Sequence, residues 1–178
     1  MTSLSLSRTV LVLGGARSGK SIHAESLVAE SALAPIYIAT AEAGDGEMAA
    51  RIETHRARRG PAWRTIEEPL ELLACLKKSA GPKTIVLVDC LTLWLANLLG
   101  AARPALQEIE RLSAWIGAAS GPIVLVSNEV GSGIVPANAL AREFTDLHGV
   151  MNQRLAASCA NVTLMVAGIP LGVKPAKG

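Results

Sequence analysis

The sequence predicts a three-layer α/β fold with a mostly parallel sheet, and three observations carry that expectation. Short continuous apolar runs alternate with amphipathic stretches, the order expected when helices cover both faces of a parallel sheet. One run, at residues 9–13, leads into a glycine-rich loop and then a helical pattern. Another, at 84–88, ends in the carboxylate of Asp89.

The first strand is expected at 9–13, whose unbroken apolar character suits a strand covered on both faces. The loop that follows, Gly14-Gly15-Ala16-Arg17-Ser18-Gly19-Lys20-Ser21, completes the Walker A pattern in the strand–loop–helix setting that it requires. Its glycines let successive N–H groups turn inward on phosphate oxygens, and the helix expected at 22–32 adds the positive end of its dipole. Lys20 is expected to reach the β- and γ-phosphates, and Ser21 to offer its hydroxyl to Mg²⁺. This is the signature of a P-loop nucleotide-binding fold that takes a nucleoside triphosphate.

Pro35 introduces a strand at 36–39, and the polar, glycine-rich stretch 40–46 reads as a loop. Asp45 is placed to cap a helix over 47–58, which crowds Arg51, His55, Arg56, Arg58 and Arg59 together against only Glu47 and Glu53. Gly60-Pro61 ends it. A short strand at 63–66 and a proline-started helix at 69–78 follow. The run 84–89 is the Walker B pattern, in which a carboxylate at a strand's end orders Mg²⁺ or its water ligands; the other reading of Asp89 is a cap for the helix expected at 91–99.

A helix at 104–118 and a strand at 123–127 come next. The glycine-containing loop 128–136 then either lines the crevice at the carboxyl ends of the strands or is a plain connection. Residues 137–157 read as a helix, with Gly149 a point where it bends or breaks. The last strand is expected at 161–167, and the tail beyond it shows no pattern. All of this fits one domain over 1–178, with 1–8 as a flexible leader.

Composition excludes several function classes. Of the 178 residues, 50% are hydrophobic and 18% charged, which argues for a large core and against disorder. The net charge of +2 and an aromatic content of 3% speak against a nucleic-acid partner. No run approaches membrane-spanning length and no signal-peptide core is present, so a cytoplasmic protein is expected. Cys75, Cys90 and Cys159 lack metal-type spacing and read as buried small hydrophobes in a reducing compartment.

A Walker pair leaves transferase, hydrolase and switch all open, and the basic stretch around His55 discriminates among them. Arginines at that density beside a phosphate site supply bidentate clamps for a polyphosphate. Neighbouring cations favour a neutral imidazole, which is a competent nucleophile toward phosphorus. The bland alternative is a solvated basic face whose histidine is incidental. His23 and His148 read as structural.

Taken together, the Walker A loop, Tyr37-Ile38-Ala39-Thr40, the 47–52 stretch with His55-Arg56, Trp63-Arg64-Thr65, the Asn128-Glu129-Val130-Gly131 loop through Pro136, and Asn152-Gln153-Arg154-Leu155-Ala156 resemble the bifunctional adenosylcobinamide kinase / adenosylcobinamide-phosphate guanylyltransferases of cobalamin synthesis. The likeness runs from about residue 9 to 174. Some members carry a second histidine beside the reactive one; here that position is Thr54.

The resemblance implies two reactions. ATP or GTP first phosphorylates the aminopropanol hydroxyl of adenosylcobinamide. The histidine, here His55, then attacks the α-phosphorus of GTP, and the phosphorylated substrate takes the GMP to give adenosylcobinamide-GDP. By the same resemblance, Ala39, Thr40, Ala41, Arg56, Ala57, Arg58, Arg59, Glu67 and Asp89 join the Walker loop in contacting guanine nucleotide, Ser21 and Asp89 flank Mg²⁺, and the protein is a homotrimer. Two rivals stand beside it. A regulatory GTPase would carry an Asn-Lys-x-Asp guanine-reading motif, and none is present. A monofunctional P-loop small-molecule kinase would leave His55 idle.

Overall fold

The structure, a computed structural model, describes residues 9–41 and 59–175. The helix expected at 47–58 and the leader at 1–8 lie outside the described residues.

Among the described residues, seven strands form one sheet in the order β3-β2-β4-β5-β1-β6-β7. Strands β1 (Thr9–Gly14), β2 (Ala34–Ala39), β3 (Arg64–Glu67), β4 (Thr84–Asp89), β5 (Ile123–Asn128) and β6 (Asn161–Val166) are all parallel. They match the six expected strands to within two residues at each end. Helices α1 (Lys20–Ala29), α2 (Leu72–Ser79), α3 (Leu91–Gly100), α4 (Ala105–Ile116) and α5 (Ala139–Ser158) connect them.

Alternation along the strands sorts their side chains into two cores. On one face Val10, Val12, Tyr37, Leu87, Val124 and Val126 pack under α1 through Ala24 and Val28. On the other, Leu11, Ile36, Ile38, Val86, Val88 and Leu125 meet Leu72 and Leu76 of α2, Trp94 and Leu98 of α3, Ile109 and Leu112 of α4, and Met151 and Leu155 of α5. Among the described residues the three layers are therefore α1, the sheet, and α2 to α5. Cys75 and Cys159 lie in the second core and Cys90 in the first, all three buried with free thiols.

Three expectations shift. Helix α2 starts at Leu72 instead of 69, because the Glu68 carboxylate accepts from the N–H groups of Leu70 and Glu71 and holds a turn ahead of the helix. Helix α5 is unbroken at Gly149; Asn138 caps it by accepting from Ala141 N–H at 2.7 Å. The tail, expected to be patternless, forms β7 (Ile169–Lys174), antiparallel to β6. The hairpin turn between them places Ala167 and Gly168 at positive φ, 50° and 83°, the geometry of a tight primed turn. Pro170 and Gly172 read as breakers in sequence, but β7 is the sheet's edge, where proline is tolerated.

Candidate nucleotide site and its family

The register sets three of the predicted residues, Glu67, Ala39 and Asp89, in one row. Glu67 pairs with Ala39, Ala39 with Asp89, Asp89 with Val126, and Val126 with Val12, forming a single row across five strands. Gly14, two residues beyond Val12, opens the Walker loop above that row. All of these are carboxyl ends of parallel strands. Between β5 and β1 the connections also part: α1 leaves β1 on one face toward β2, and α5 leaves β5 on the other toward β6. Such a switch point is where an open α/β sheet forms its ligand crevice.

The loop itself is tightly held. A Cβ at Gly14 would come within 2.8 Å of the Met165 carbonyl on β6, so only glycine lets the strand pass so close. Arg17 and Gly19 adopt left-handed φ values of 55° and 93°, which turn the chain into the start of α1. Gly15 accepts from Ser18 N–H at 3.3 Å and Gly19 from His23 N–H at 3.0 Å. Two neighbours brace the loop from outside: Glu129 N–H donates to Gly14 carbonyl at 3.0 Å, and Gly168 N–H to Ser18 carbonyl at 3.1 Å. Gly15, Ala16 and Arg17 are exposed, Ser21 half-buried.

Lys20 is buried, and its Nζ donates to the Gly15 carbonyl at 2.8 Å. Burial lowers its pKa, while the neighbouring Cys90 and Asp89 act in the opposite sense. The lysine thus sits folded under its own loop, on the side where Asp89 ends β4. Ser18 Oγ is buried with no hydrogen-bond partner among the described residues. A phosphate oxygen would supply what that hydroxyl lacks. The residues therefore fit a nucleotide phosphate chain. They also fit Mg²⁺ in its usual P-loop manner, with few protein ligands and the remainder from phosphates and water: Ser21 in the first turn of α1 and the Asp89 carboxylate. Among the described residues no group of three or more His, Cys, Asp or Glu forms a self-sufficient metal cage.

The other predicted residues divide. Glu67 is exposed at the end of β3, two strands from Asp89, and roughly 10 Å separates those chains. Ala39 is buried and Ala41 half-buried. Thr40, fully buried, spends its side chain on the fold: Oγ1 donates to Cys90 carbonyl at 2.7 Å and accepts from Cys90 N–H at 2.9 Å. Asn97 Nδ2 donates to Thr40 carbonyl at 2.7 Å. Arg59 is buried, its guanidinium carbon 3.3 Å from the centroid of the Tyr37 ring. His55, Arg56, Ala57 and Arg58 lie outside the described residues.

Sequence reasoning missed a polar cluster beneath the 128–136 loop. Ser127 Oγ donates to Asn152 Oδ1 at 2.8 Å, and Asn152 Nδ2 to the Asn128 carbonyl at 3.0 Å. Asn128 N–H donates to Thr92 Oγ1 at 2.9 Å, and that oxygen lies 3.0 Å from His148 Nε2. Both backbone groups of Asn128 are thus fixed just before Glu129 reaches Gly14. The available signal was a serine, a histidine and an asparagine in segments whose neighbours are core. His148, read as structural, is buried, and that burial lowers its pKa, with the Glu129 charge opposing.

Comparison with known proteins now decides the family. The family model described as cobinamide kinase / cobinamide phosphate guanyltransferase matches residues 10–173. The chain belongs to that family. It is 54% identical over 166 residues to the bifunctional adenosylcobalamin biosynthesis protein CobP of Pseudomonas aeruginosa, covering 92% of this chain and 96% of the relative. To CobU of Escherichia coli, also named a bifunctional adenosylcobalamin biosynthesis protein, it is 43% identical over 180 residues, covering 93% and 99%. Solved structures agree on the fold alone. A Pyrococcus horikoshii protein, PH0250, superposes with a TM-score of 0.59 at 14% identity, over 98% of this chain and 90% of that one. The P4 protein of bacteriophage phi6, solved with ADP, gives 0.50 at 18% identity, over 92% and 54%.

Proposed function

We propose that this cobinamide kinase / guanyltransferase family member carries out both reactions as one P-loop domain. It phosphorylates adenosylcobinamide with ATP or GTP, then transfers GMP from GTP to the resulting phosphate. The observation that carries the reading is Lys20 held under a braced Walker loop, in a chain matched by the family model from 10 to 173.

In the kinase step, the loop N–H groups and Lys20 hold the β- and γ-phosphates and stabilise the charge that develops as the γ-phosphoryl leaves. Ser21 and Asp89 would hold Mg²⁺, which when bound would neutralise further charge on the phosphates. In the guanylyl step, a ring nitrogen of neutral His55 bonds to the α-phosphorus of GTP as the bond to the β-phosphate oxygen breaks. Pyrophosphate leaves, and the other ring nitrogen gives up its proton. An oxygen of the cobinamide phosphate then bonds to that phosphorus and takes the GMP as the phosphorus–nitrogen bond breaks and the imidazole regains a proton. Arg56, Ala57, Arg58 and Glu67 complete the nucleotide contacts in this reading, with Ala39 and Ala41 at the crevice edge. A homotrimer in the cytoplasm is part of the same reading and follows from family resemblance; no described helix is long and apolar enough to cross a membrane.

The deciding experiment is covalent labelling. With Mg²⁺ and GTP labelled at the α-phosphate the protein should gain label, and with γ-labelled GTP none. The phosphorus–nitrogen bond should be lost in acid and survive in base. His55→Ala should abolish the label and guanylyl transfer but leave adenosylcobinamide phosphorylation measurable. A kinase reaction without any label would favour the monofunctional kinase instead.

A further inference from the structure

Asn128 and Gly14 are register partners at the carboxyl ends of β5 and β1. One residue on, Glu129 N–H donates to the Gly14 carbonyl at 3.0 Å, where the phosphate loop opens. Whatever fixes Asn128 therefore also fixes the start of that loop.

Three side chains from three elements do so. Thr92, in the first turn of α3, accepts from Asn128 N–H at 2.9 Å, and Asn152 of α5 donates to the Asn128 carbonyl at 3.0 Å. Ser127, fully buried, donates to Asn152 Oδ1 at 2.8 Å and so keeps that amide turned with Nδ2 toward Asn128. The Thr92 hydroxyl, accepting from Asn128, has its own proton left for His148 Nε2 at 3.0 Å. A buried network satisfied in this way is stiff.

The cluster also joins the two halves of the nucleotide site. The β4–β5 ladder ends at Asp89 and Val126, while β5 continues alongside β1 through Asn128 and Gly14. Beyond the end of that ladder, the bond between Thr92 and Asn128 carries on the tie. Thr92 is the third residue after Asp89, so the tie runs from the chain just past the Asp89 carboxylate to the loop above Lys20.

We infer that Thr92, Ser127 and Asn152 are positioning residues for the phosphate chemistry: by fixing Asn128 they hold the Walker loop in place against Asp89, and they act through that loop and not on the ligand. The inference rests on the proposed nucleotide reactions. Its rival is that the cluster shapes only the 129–136 loop, as a wall for the corrinoid; the plainer alternative is a core contact that matters for stability alone.

Four variants separate these. Thr92→Val keeps the shape of the side chain and removes the hydroxyl, whereas Thr92→Ser retains it. Asn152→Asp keeps the acceptor for Ser127 and puts an oxygen where Nδ2 stood. Thr9→Val is the control: Thr9 Oγ1 accepts from Ala160 N–H at 3.2 Å at the opposite end of β1 from Gly14, so a buried hydroxyl is lost away from the site. Each protein is assayed for Mg²⁺-GTP affinity by equilibrium binding and for kcat and KM in adenosylcobinamide phosphorylation. A thermal melt ensures that rates are compared below each transition.

Positioning predicts that Thr92→Val and Asn152→Asp each weaken GTP affinity and lower kcat by about tenfold or more, since small misplacements in a catalytic array are that costly. The KM for adenosylcobinamide should stay within twofold of wild type. Thr92→Ser should behave as wild type, and Thr9→Val should lower the melting temperature alone. Because both side chains support one peptide unit, Thr92→Val combined with Asn152→Asp should lose much less than the product of the single losses. Unchanged kcat and GTP affinity in Thr92→Val, with only a lower melting temperature, would overturn the inference in favour of a core contact, even if Asn152→Asp failed to fold. A raised KM for adenosylcobinamide with kcat and GTP affinity intact would overturn it in favour of the corrinoid wall. A wild type that binds GTP without phosphorylating adenosylcobinamide would remove the proposed reactions, and the GTP affinities of the variants would still decide the positioning.

Discussion

The main-chain N–H of Glu129 donates to the carbonyl of Gly14 at 3.0 Å, joining the loop after β5 to the phosphate loop after β1. These two strands are where the sheet's connections part, so the bond closes the floor of the crevice. The groups that fix each partner are different: β6 crowds Gly14, and the Thr92, Ser127 and Asn152 side chains hold the chain before Glu129.

Lys20→Ala should abolish or severely slow both reactions. The ammonium is already beneath the loop, and preorganised contacts of this kind contribute about 3 kcal/mol or more at the transition state, roughly a hundredfold in rate. Steady-state assays of each activity on folded variant protein check it. A wild-type rate for either would show that the triphosphate is held elsewhere.

Asp89→Asn should weaken the Mg²⁺ dependence of the kinase reaction without unfolding the protein. Asp89 ends β4 half-exposed at the crevice edge, and its backbone remains in the ladder with β2 and β5. Titrating Mg²⁺ against rate, alongside a thermal melt, checks both halves. An insoluble variant with an unchanged Mg²⁺ response would make the carboxylate structural and turn attention to Glu67.

Thr40→Ala should cost stability more than nucleotide affinity. Its hydroxyl satisfies both the N–H and the carbonyl of buried Cys90, and leaving such groups unpaired costs about 1–3 kcal/mol. In a chain of this size that lowers the melting temperature by about 2–4 °C for each kcal/mol. Thr40→Ser, which keeps the oxygen, should stay close to wild type. A tenfold loss of GTP affinity in Thr40→Ser would instead make the methyl group part of the nucleotide site.

Stability should fall as pH drops below about 6.5, the ordinary histidine value, and His148 should contribute to that slope. Burial holds its folded pKa below the unfolded one, so the unfolded chain takes up the proton first. The neutral form therefore stabilises fully above pH about 6.5, and the advantage disappears as pH falls toward the folded pKa. His23, also lowered by burial, acts in the same direction. Urea midpoints between pH 7.5 and 5.5 should show a shallower decline in His148→Gln. An unchanged slope would place the acid sensitivity elsewhere.

Much of this fold is legible because parallel strands under helices are apolar on both faces. Runs such as 84–88 announce themselves, and the row from Glu67 through Asp89 follows once strand ends are known. The Walker loop is legible for a different reason: its spacing is set by phosphate geometry. What escapes is decided by tertiary contact. Thr40 looked like a crevice residue, yet its hydroxyl closes on Cys90, fifty positions away. Arg59 looked like one basic residue among several, and only the fold shows its guanidinium on Tyr37. The Ser127, His148 and Asn152 cluster joins a strand to a helix that sequence spacing does not bring together. Strand β7 was hidden by Pro170 and Gly172, whose meaning reverses at a sheet edge.

The β6–β7 hairpin reaches back to the start of the chain: Gly168 N–H holds the Ser18 carbonyl, and a Cβ on Gly19 would lie 3.4 Å from Gly168 Cα. The hairpin therefore acts as a buttress for the phosphate loop. Much of the entropy lost in shaping that loop is lost when the hairpin folds, before any ligand arrives. Changes in the β6–β7 hairpin are thus thermodynamically linked to triphosphate affinity through its contacts with Ser18 and Gly19.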